Sequence, residues 1–318
     1  MKKIGLLLVL GLAVAASAQQ PSDNDSNAPT GIVPTNANFP TERVVKPTRA
    51  DLYCAGFVNK APLPNKDYVM AGLQTPNTTK YGDGELVYLN GKGYEVGKRY
   101  SIIRELVDPN RYEMFPGQFT MLKAMGQPYA DLGIVRVLDT RQRSAVAQIE
   151  LSCAPIMPGD YVAPFVERAT VPDHDPLHFD RFAPPNGKAS GRILMAKDFD
   201  TELGTGAKVY VNLGANQGVK VGDYLRAVRT YEADLHSPID SLSFAASTSD
   251  DTQAHPPIIE GGMFDRGKGP RIKVADLPRR AVGEIVILST TPTTATGMVV
   301  FALEDVHIGD GVELDPAN

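Results

Sequence analysis

Potential metal ligands are concentrated in the stretch DHDPLHFD at residues 173–180. Histidine nitrogens and carboxylate oxygens are the donors through which proteins hold zinc and other divalent ions. Two features argue against a metal site. Pro172 and Pro176 flank the first histidine, and no helix pattern fixes the spacing of the two histidines. We therefore expect a solvated linker without a metal. The weak candidate ligands are Asp173, His174, Asp175 and His178.

Two glycine-rich stretches could be mistaken for phosphate-binding loops. In GGMFDRGKGP, Gly262 precedes Gly267-Lys268 at the spacing of that motif, but Gly269 stands where the motif has serine or threonine. In GAKVYVNLGANQGVKVGDYLRAVR, residues 206–229, the glycines are followed by a strand-like pattern and not by the helix that an anion site needs. We predict no bound cofactor.

Signs of catalysis are weak throughout the chain. It contains no G-x-S-x-G motif, and its five histidines fall in predicted linkers or loops. The most evident carboxylates, Asp160, Asp223 and Asp310, recur in repeated turns, which indicates a structural role. A carboxylate pair of the glycosidase type converges only in the fold, so the sequence leaves that alternative open. Our prediction is a protein that is not an enzyme.

The two cysteines, Cys54 and Cys153, could form one disulfide in an exported chain. The loop closed by such a bridge would stabilise the fold by about 4 to 5 kcal/mol in the loop-entropy model. The competing interpretation is two free buried thiols.

The N-terminal residues predict export. Met1-Lys2-Lys3 precedes an apolar run from Ile4 to Ala16, and Ala16-Ser17-Ala18 supplies small residues for cleavage after Ala18. The run is shorter than the roughly 20 residues of a membrane-spanning helix. We therefore expect a periplasmic or secreted protein without a transmembrane anchor after cleavage. The formal charge is −5 and the basic residues are scattered, which argues against nucleic acid as a partner.

Composition divides the chain into compact and loose segments. We predict a signal peptide at 1–18, a disordered leader at 19–46, a first β module at 47–165, a Pro-rich linker at 166–187 and a second β module at 188–316. A loose insertion within the second module covers about 232–278.

The two modules are related by internal duplication. Residues 133–160 and 283–310 align without a gap. Identical pairs are Gly133/Gly283, Leu138/Leu288, Thr140/Thr290, Ala145/Ala295, Gly159/Gly309 and Asp160/Asp310. Upstream, Arg104 and Arg229 lie at the same distance after Gly97 and Gly222. The shared order of strand patterns, loops and Gly-Asp turns favours duplication over chance.

Hydrophobic periodicity predicts strands. Ala145, Ala147 and Ile149 alternate with Ser144, Gln148 and Glu150, and only Val146 breaks the pattern. Helical spacing is limited to the region from Phe119 to Met125. The predicted fold is all-β, with two small antiparallel β-barrel-like modules of about five or six strands each. Glycines are expected where turns need positive φ, and aspartates where turn amides need an acceptor. The predicted turn residues are Gly97, Gly159, Asp160, Gly214, Gly218, Gly222, Asp223, Gly309 and Asp310.

A family resemblance rests on the second module. KVYVNLGANQGVKVGDYLRAVR, followed later by VGEIVILSTTPTTATGMVVFALEDVHIGDGVEL, resembles the C-terminal domain of flagellar assembly protein T over about residues 188–315. The chain departs from that pattern at Gln217, where the family often has Asp, and in the insertion after Arg229. The first module, ending CAPIMPGDYVAPF, is similar to β modules that accompany LysM domains in exported envelope proteins. These resemblances imply a periplasmic β module of envelope assemblies.

Two functions remain for such a protein. The first is a structural or adaptor module that binds envelope proteins, among them those of the flagellar basal body, through exposed strands or the insertion. The alternative is a cell-wall module that binds peptidoglycan or a polysaccharide. Sugar binding usually needs exposed aromatic side chains, and the chain has no Trp. The alternative therefore depends on a tyrosine cluster that could form a stacking face or could simply be strand residues: Tyr81, Tyr88, Tyr94 and Tyr100.

Overall fold

The computed structural model describes residues 44–172, 179–231, 252–260 and 268–315. Two α-helices lie in these ranges, α1 (Arg49–Tyr53) and α2 (Gln118–Met125). The second of them coincides with the short helical pattern in the sequence. No described helix has the length and apolar character to cross a membrane. The remaining described structure consists of strands, loops and the short 3-10 helices Ala215–Gln217 and Val274–Asp276. The predicted all-β class with two antiparallel barrels is confirmed.

The first barrel is closed by six strands, and a seventh strand extends its sheet. Its strands are β1 (Phe57–Asn59), β2 (Tyr68–Gly72), β3 (Leu86–Asn90), β4 (Arg99–Glu105), β5 (Gln127–Thr140), β6 (Ser144–Ser152) and β7 (Tyr161–Pro164). The closed order is β2-β3-β6-β5-β4-β7, and β1 pairs with β5 outside the ring. Closure leaves few free strand edges, which are a risk for aggregation in open sheets.

The second barrel has the same arrangement. The strands of this region are β8 (Ser190–Ala196), β9 (Glu202–Leu203), β10 (Lys208–Val211), β11 (Tyr224–Arg229), β12 (Ile258–Glu260), β13 (Arg271–Lys273), β14 (Arg280–Thr290), β15 (Ala295–Ala302), β16 (Val306–His307) and β17 (Gly311–Leu314). The closed order is β8-β10-β15-β14-β11-β17. When the six ring strands of each barrel are counted in chain order, they are neighbours in the same sequence around both rings, as duplication requires. The other strands form two small pairs, β9 with β16 and β12 with β13.

An Arg–Asp ion pair recurs at the same place in each barrel. Asp160 accepts hydrogen bonds from Arg104 Nε at 2.7 Å and Nη2 at 2.8 Å. Asp310 accepts them from Arg229 Nε at 2.8 Å and Nη2 at 2.7 Å. Both carboxylates also accept the backbone N–H three residues earlier, which holds the turn before the last strand. The repeated arginines of the sequence therefore bind the repeated Gly-Asp turns.

The glycines of the predicted turns fall into two groups. Positive φ values are found at Gly97 (83°), Gly159 (94°), Gly218 (85°), Gly222 (90°) and Gly309 (102°). Gly214 differs, because its φ of −140° is extended backbone that any residue can adopt. A Cβ there would lie 2.5 Å from both Thr291 O and Thr294 N. Glycine at 214 is thus required by a close approach to the β14–β15 turn and not by its backbone conformation.

The two barrels pack against each other through parts of the first module. Val58 in β1 and Met125 in α2 belong to the hydrophobic cluster of the second barrel. The buried Gln118 donates from Nε2 to Leu194 O at 2.9 Å and accepts the Met114 N–H at 2.7 Å. The hydrogen-bonding capacity of this buried amide is therefore used to join α2 to β8.

Segments that the sequence assigns to the leader and linker make contacts where they are described. The Val45 N–H donates to Val300 O at 2.9 Å, although position 45 falls in the predicted leader. In the Pro-rich linker, Pro172 O accepts from the Tyr224 hydroxyl at 3.1 Å, and Arg181 O accepts the Ala281 N–H at 2.7 Å. These segments lie on the outside of the second barrel.

Candidate binding surface

One outer surface of the first barrel, which we call the open face, is formed by side chains of β4, β5 and β6. Its residues are Arg99, Arg136, Leu138, Val146, Gln148 and Glu150. Successive side chains of a strand point to opposite faces, and the intervening Val137, Ala147 and Ile149 fill the barrel interior. The equivalent surface of the second barrel we call the covered face. Its residues are Tyr224, Val286, Leu288, Thr296, Met298 and Val300.

The covered face is covered by residues 44–57, which we call the covering segment. Leu52 and Ala55 pack in one cluster with the apolar side chains of the covered face. Thr296 Oγ1 donates to Gly56 O at 3.1 Å, and Lys208 Nζ lies 2.6 Å from Asp51 Oδ1. The second barrel thus buries its apolar outer surface against a polypeptide segment.

Local sequence explains the shape of the covering segment. Thr48 accepts the Asp51 N–H at 3.2 Å and Asp51 accepts the Thr48 N–H at 2.9 Å, a reciprocal cap that begins α1. Gly56 has a φ of 71°, and a Cβ there would lie 2.6 Å from Tyr129 O and 2.3 Å from the Tyr210 hydroxyl oxygen. Only glycine allows the chain to turn between the barrels at this point.

The covering segment is also fastened to the first barrel. The predicted disulfide between Cys54 and Cys153 is confirmed, with its Cα atoms 5.5 Å apart. The buried carboxylate of Asp131 accepts the Gly56 N–H at 2.9 Å and pairs with Arg168 Nη1 at 2.9 Å. Arg168 in turn donates to Leu52 O. The segment is therefore held between two barrels by a covalent bond and a buried ion pair.

A groove of about 520 Å³ separates α1 from the open face. Its lining includes Arg49 and Ala50 on the α1 side and Arg99, Ile134, Gln148 and Glu150 on the barrel side. The volume falls in the range of clefts that bind ligands. Its lining offers guanidinium, amide and carboxylate groups that can bind a ligand.

The charge of the groove is set by arginines around one carboxylate. Glu150 Oε2 accepts from Arg99 Nε at 2.6 Å, and Oε1 accepts from Arg136 Nε. Although partial burial acts to raise the pKa of Glu150, the hydrogen bonds and charges of Arg136 and Arg99 hold it below its usual range. Arg49 is exposed and its guanidinium carbon lies 5.6 Å from the centre of the Tyr53 ring. Arg49 and Arg99 line the groove with Glu150, and Arg136 contacts Glu150 from beside it, so these four side chains carry an excess of positive charge.

The four tyrosines do not form one stacking face. Tyr81 is 2% exposed, and its hydroxyl donates to Thr78 O at 3.1 Å. Tyr94 and Tyr100 pack edge to face, with ring centres 5.1 Å apart, and burial raises the pKa of Tyr94. Tyr88 is half-buried on β3, where it pairs with Val146 of the open face.

Three further candidates from the sequence are the proposed metal ligands, the glycine-rich stretch GGMFDRGKGP and Asp223. Asp173, His174, Asp175 and His178 fall outside the described residues, and within the described ranges no cluster of metal-ligating side chains is present. In GGMFDRGKGP, the Gly269 N–H donates to Pro256 O at 2.7 Å in a turn before β13. Asp223 accepts the Lys220 N–H at 2.7 Å. Neither Gly269 nor Asp223 lines the groove.

Sequence reasoning missed the open face, although a signal for it was present. Reading the repeat residue by residue places Arg136, Gln148 and Glu150 at the positions of Val286, Met298 and Val300. Polar residues at positions that are apolar in the other copy indicate that one face is covered and its equivalent is not.

Comparison with models of protein families found no match to the chain, and no curated protein matched it. The resemblances to the C-terminal domain of flagellar assembly protein T and to the modules that accompany LysM domains therefore stay predictions.

Proposed function

We propose that the protein is an exported, non-enzymatic adaptor of a cell-envelope assembly that binds a partner at the open face. The observation that carries the proposal is the contrast between the two barrels. One copy of an outer face is apolar and holds a chain segment, whereas the other copy is polar, charged and bordered by a groove.

Export is supported by two independent features. The first 18 residues have the order of a secretory signal, and Cys54 and Cys153 form a disulfide of the kind that persists in oxidising compartments. Because the second module resembles the C-terminal domain of flagellar assembly protein T, the flagellar basal body is the first assembly in which to look for the partner.

The adaptor role agrees with how the barrels are joined. The covering segment, the disulfide and the α2 contact to β8 connect them at separate points. A partner bound at the open face would thereby be held in a defined position relative to whatever the second barrel contacts.

The test is photo-cross-linking in intact cells that make the protein. A benzophenone amino acid replaces Gln148, which is exposed in the groove, and a matched control carries it at Arg111, an exposed position outside the groove. Mass spectrometry should identify a component of an envelope assembly cross-linked at position 148 and not at 111. Capture of muropeptides without protein would favour the wall-binding alternative, and equal capture at both positions would refute a partner site at the open face.

A further inference from the structure

We propose that the open face binds an acidic polypeptide segment, whose carboxylates pair with Arg49, Arg99 and Arg136. This inference rests on the proposed function and specifies the chemistry of the partner.

A polypeptide is favoured because the same barrel surface already holds one in the other copy. The covered face seats residues 44–57 through packing and through hydrogen bonds to backbone atoms, from Val45 to Val300 O and from Thr296 to Gly56 O. The barrel geometry that makes this seat is duplicated in the first module. The open face therefore has the shape of a peptide seat, with different side chains.

Those side chains select negative charge. Arg99 and Arg136 both donate from Nε to Glu150, and within the described ranges no hydrogen bond involves their Nη atoms. A guanidinium carries five N–H donors and binds carboxylates in a bidentate manner. Each arginine can accordingly take a further carboxylate while keeping its bond to Glu150. Arg49 adds a third cationic group on the opposite wall of the groove.

Apolar contacts border the arginines. Leu138 is 44% exposed on β5, and the partly exposed Val146 and Tyr88 lie beside each other on β6 and β3. A segment that mixes carboxylates with one or two apolar residues would match both parts of the surface. Burying these apolar side chains would contribute binding free energy beyond that of the ionic contacts. Salt weakens the ionic contacts by screening their charges.

The Glu150 carboxylate repels an acidic segment that binds beside it on the same guanidinium groups. Removing its charge should therefore strengthen binding. A variant that binds more tightly cannot be explained by misfolding, which makes Glu150→Gln the decisive variant.

The experiment uses the full-length mature protein and a fluorescent synthetic peptide in which Asp and Glu alternate with Leu and Gly. The matched probe has Asn and Gln in place of the acids, and anisotropy gives the dissociation constants. We expect the Arg99→Gln/Arg136→Gln variant to bind the acidic probe about tenfold more weakly, which corresponds to roughly one lost charge-assisted hydrogen bond. Glu150→Gln should bind it severalfold more tightly. Arg111→Gln/Lys220→Gln, the same charge change at exposed loop positions, should bind it like the unaltered protein.

Several results would overturn the inference. These are equal binding of the acidic and amide probes, weaker binding by Glu150→Gln, or an equal loss in the loop variant. Binding of dextran sulfate without binding of either peptide would replace the acidic polypeptide by an anionic polysaccharide.

The two proposals fail in different ways. If the peptide experiment fails but position 148 still cross-links to an envelope protein, the adaptor function stands and the acidic segment does not. If the acidic probe binds as expected but no envelope protein is captured in cells, the surface chemistry stands and the adaptor function does not.

Discussion

The open face and the covered face occupy the same place in two barrels of one strand order, yet one meets a groove and the other a chain segment. Four of the six positions change from apolar or aromatic residues in the second barrel to arginine, glutamine or glutamate in the first. Leucine stands at the same position in both faces, at 138 and 288. Duplication thus preserved the barrel and its turns, while the outer side chains adapted to different neighbours.

The Arg–Asp pairs show the same contrast in burial. The geometry of both pairs is nearly identical, but the side chain of Arg104 is 31% exposed and that of Arg229 only 6%. Water can solvate Arg104 in part, whereas Arg229 depends on Asp310 and its other protein contacts. Equal hydrogen bonds therefore need not contribute equally to stability.

Removing the acid of each pair should give the largest difference between the barrels. We expect Asp310→Ala to lower the free energy of unfolding by about 3 to 5 kcal/mol, because it leaves a buried guanidinium without its carboxylate. Asp160→Ala should cost about 1 to 2 kcal/mol, since the exposed part of Arg104 is solvated. Urea denaturation of both variants measures this difference. Equal losses would mean that burial of the arginine does not decide the value of the pair.

The two equivalent leucines test the covering segment directly. Leu288 is 2% exposed and packs in the cluster with Leu52, so Leu288→Ala should cost about 3 kcal/mol. Leu138→Ala removes the same atoms from the exposed equivalent position and should cost less than about 1 kcal/mol. A similar loss in both variants, measured by thermal unfolding, would contradict an uncovered face on the first barrel.

Glu284 should make the stability of the second barrel depend on pH. Its equivalent in the first barrel is Ile134, which does not titrate. Burial, with a smaller contribution from Asp315, raises the pKa of Glu284 from 4.5 to about 7, against the effect of Arg226. The folded state therefore retains a proton that the unfolded chain releases, so stability falls as the pH rises from about 4.5 to above 7. At pH 8, Glu284→Gln should exceed the unaltered protein in stability by on the order of 2 to 3 kcal/mol. At pH 4 the two should be equal.

Glu150→Gln provides the control of opposite sign. The pKa of Glu150 is lowered in the folded protein, so its contribution is present above its ordinary pKa and is lost as the pH falls. The variant should be less stable than the unaltered protein at neutral pH by under about 1 kcal/mol and equal to it in strong acid. Melting temperatures over this pH range test both variants, and a parallel response would refute the assignment of Glu284.

Much of the fold could be predicted because its signals are local or repeated. Alternation along β6 indicated a strand, and the gapless repeat of 133–160 in 283–310 indicated two copies of one module. With only two cysteines the sequence allowed a single possible disulfide, and two free thiols were the alternative. Gly214 was interpreted as a turn glycine of the usual kind because sequence spacing cannot reveal that another loop approaches its backbone.

The candidate site could be predicted only in part. Its arginines and Glu150 were visible in the sequence, but their convergence depends on the register between β5 and β6 and on the position of α1. For the tyrosines the sequence suggested a common face that the fold does not form. The four residues are close in sequence, but the fold buries Tyr81 inside the barrel.

The sequence by itself determined the strand periodicity, the duplicated module, the Gly-Asp turns and the available disulfide, because these depend on neighbouring residues or on a repeat that can be aligned. Only the tertiary structure decided which outer face is covered. That outcome depends on the path of residues 44–57, which is fixed by Cys153, Asp131 and Arg168 from distant parts of the chain. Packing between remote segments leaves no periodic trace in either of them, so it becomes visible only when the barrels are assembled.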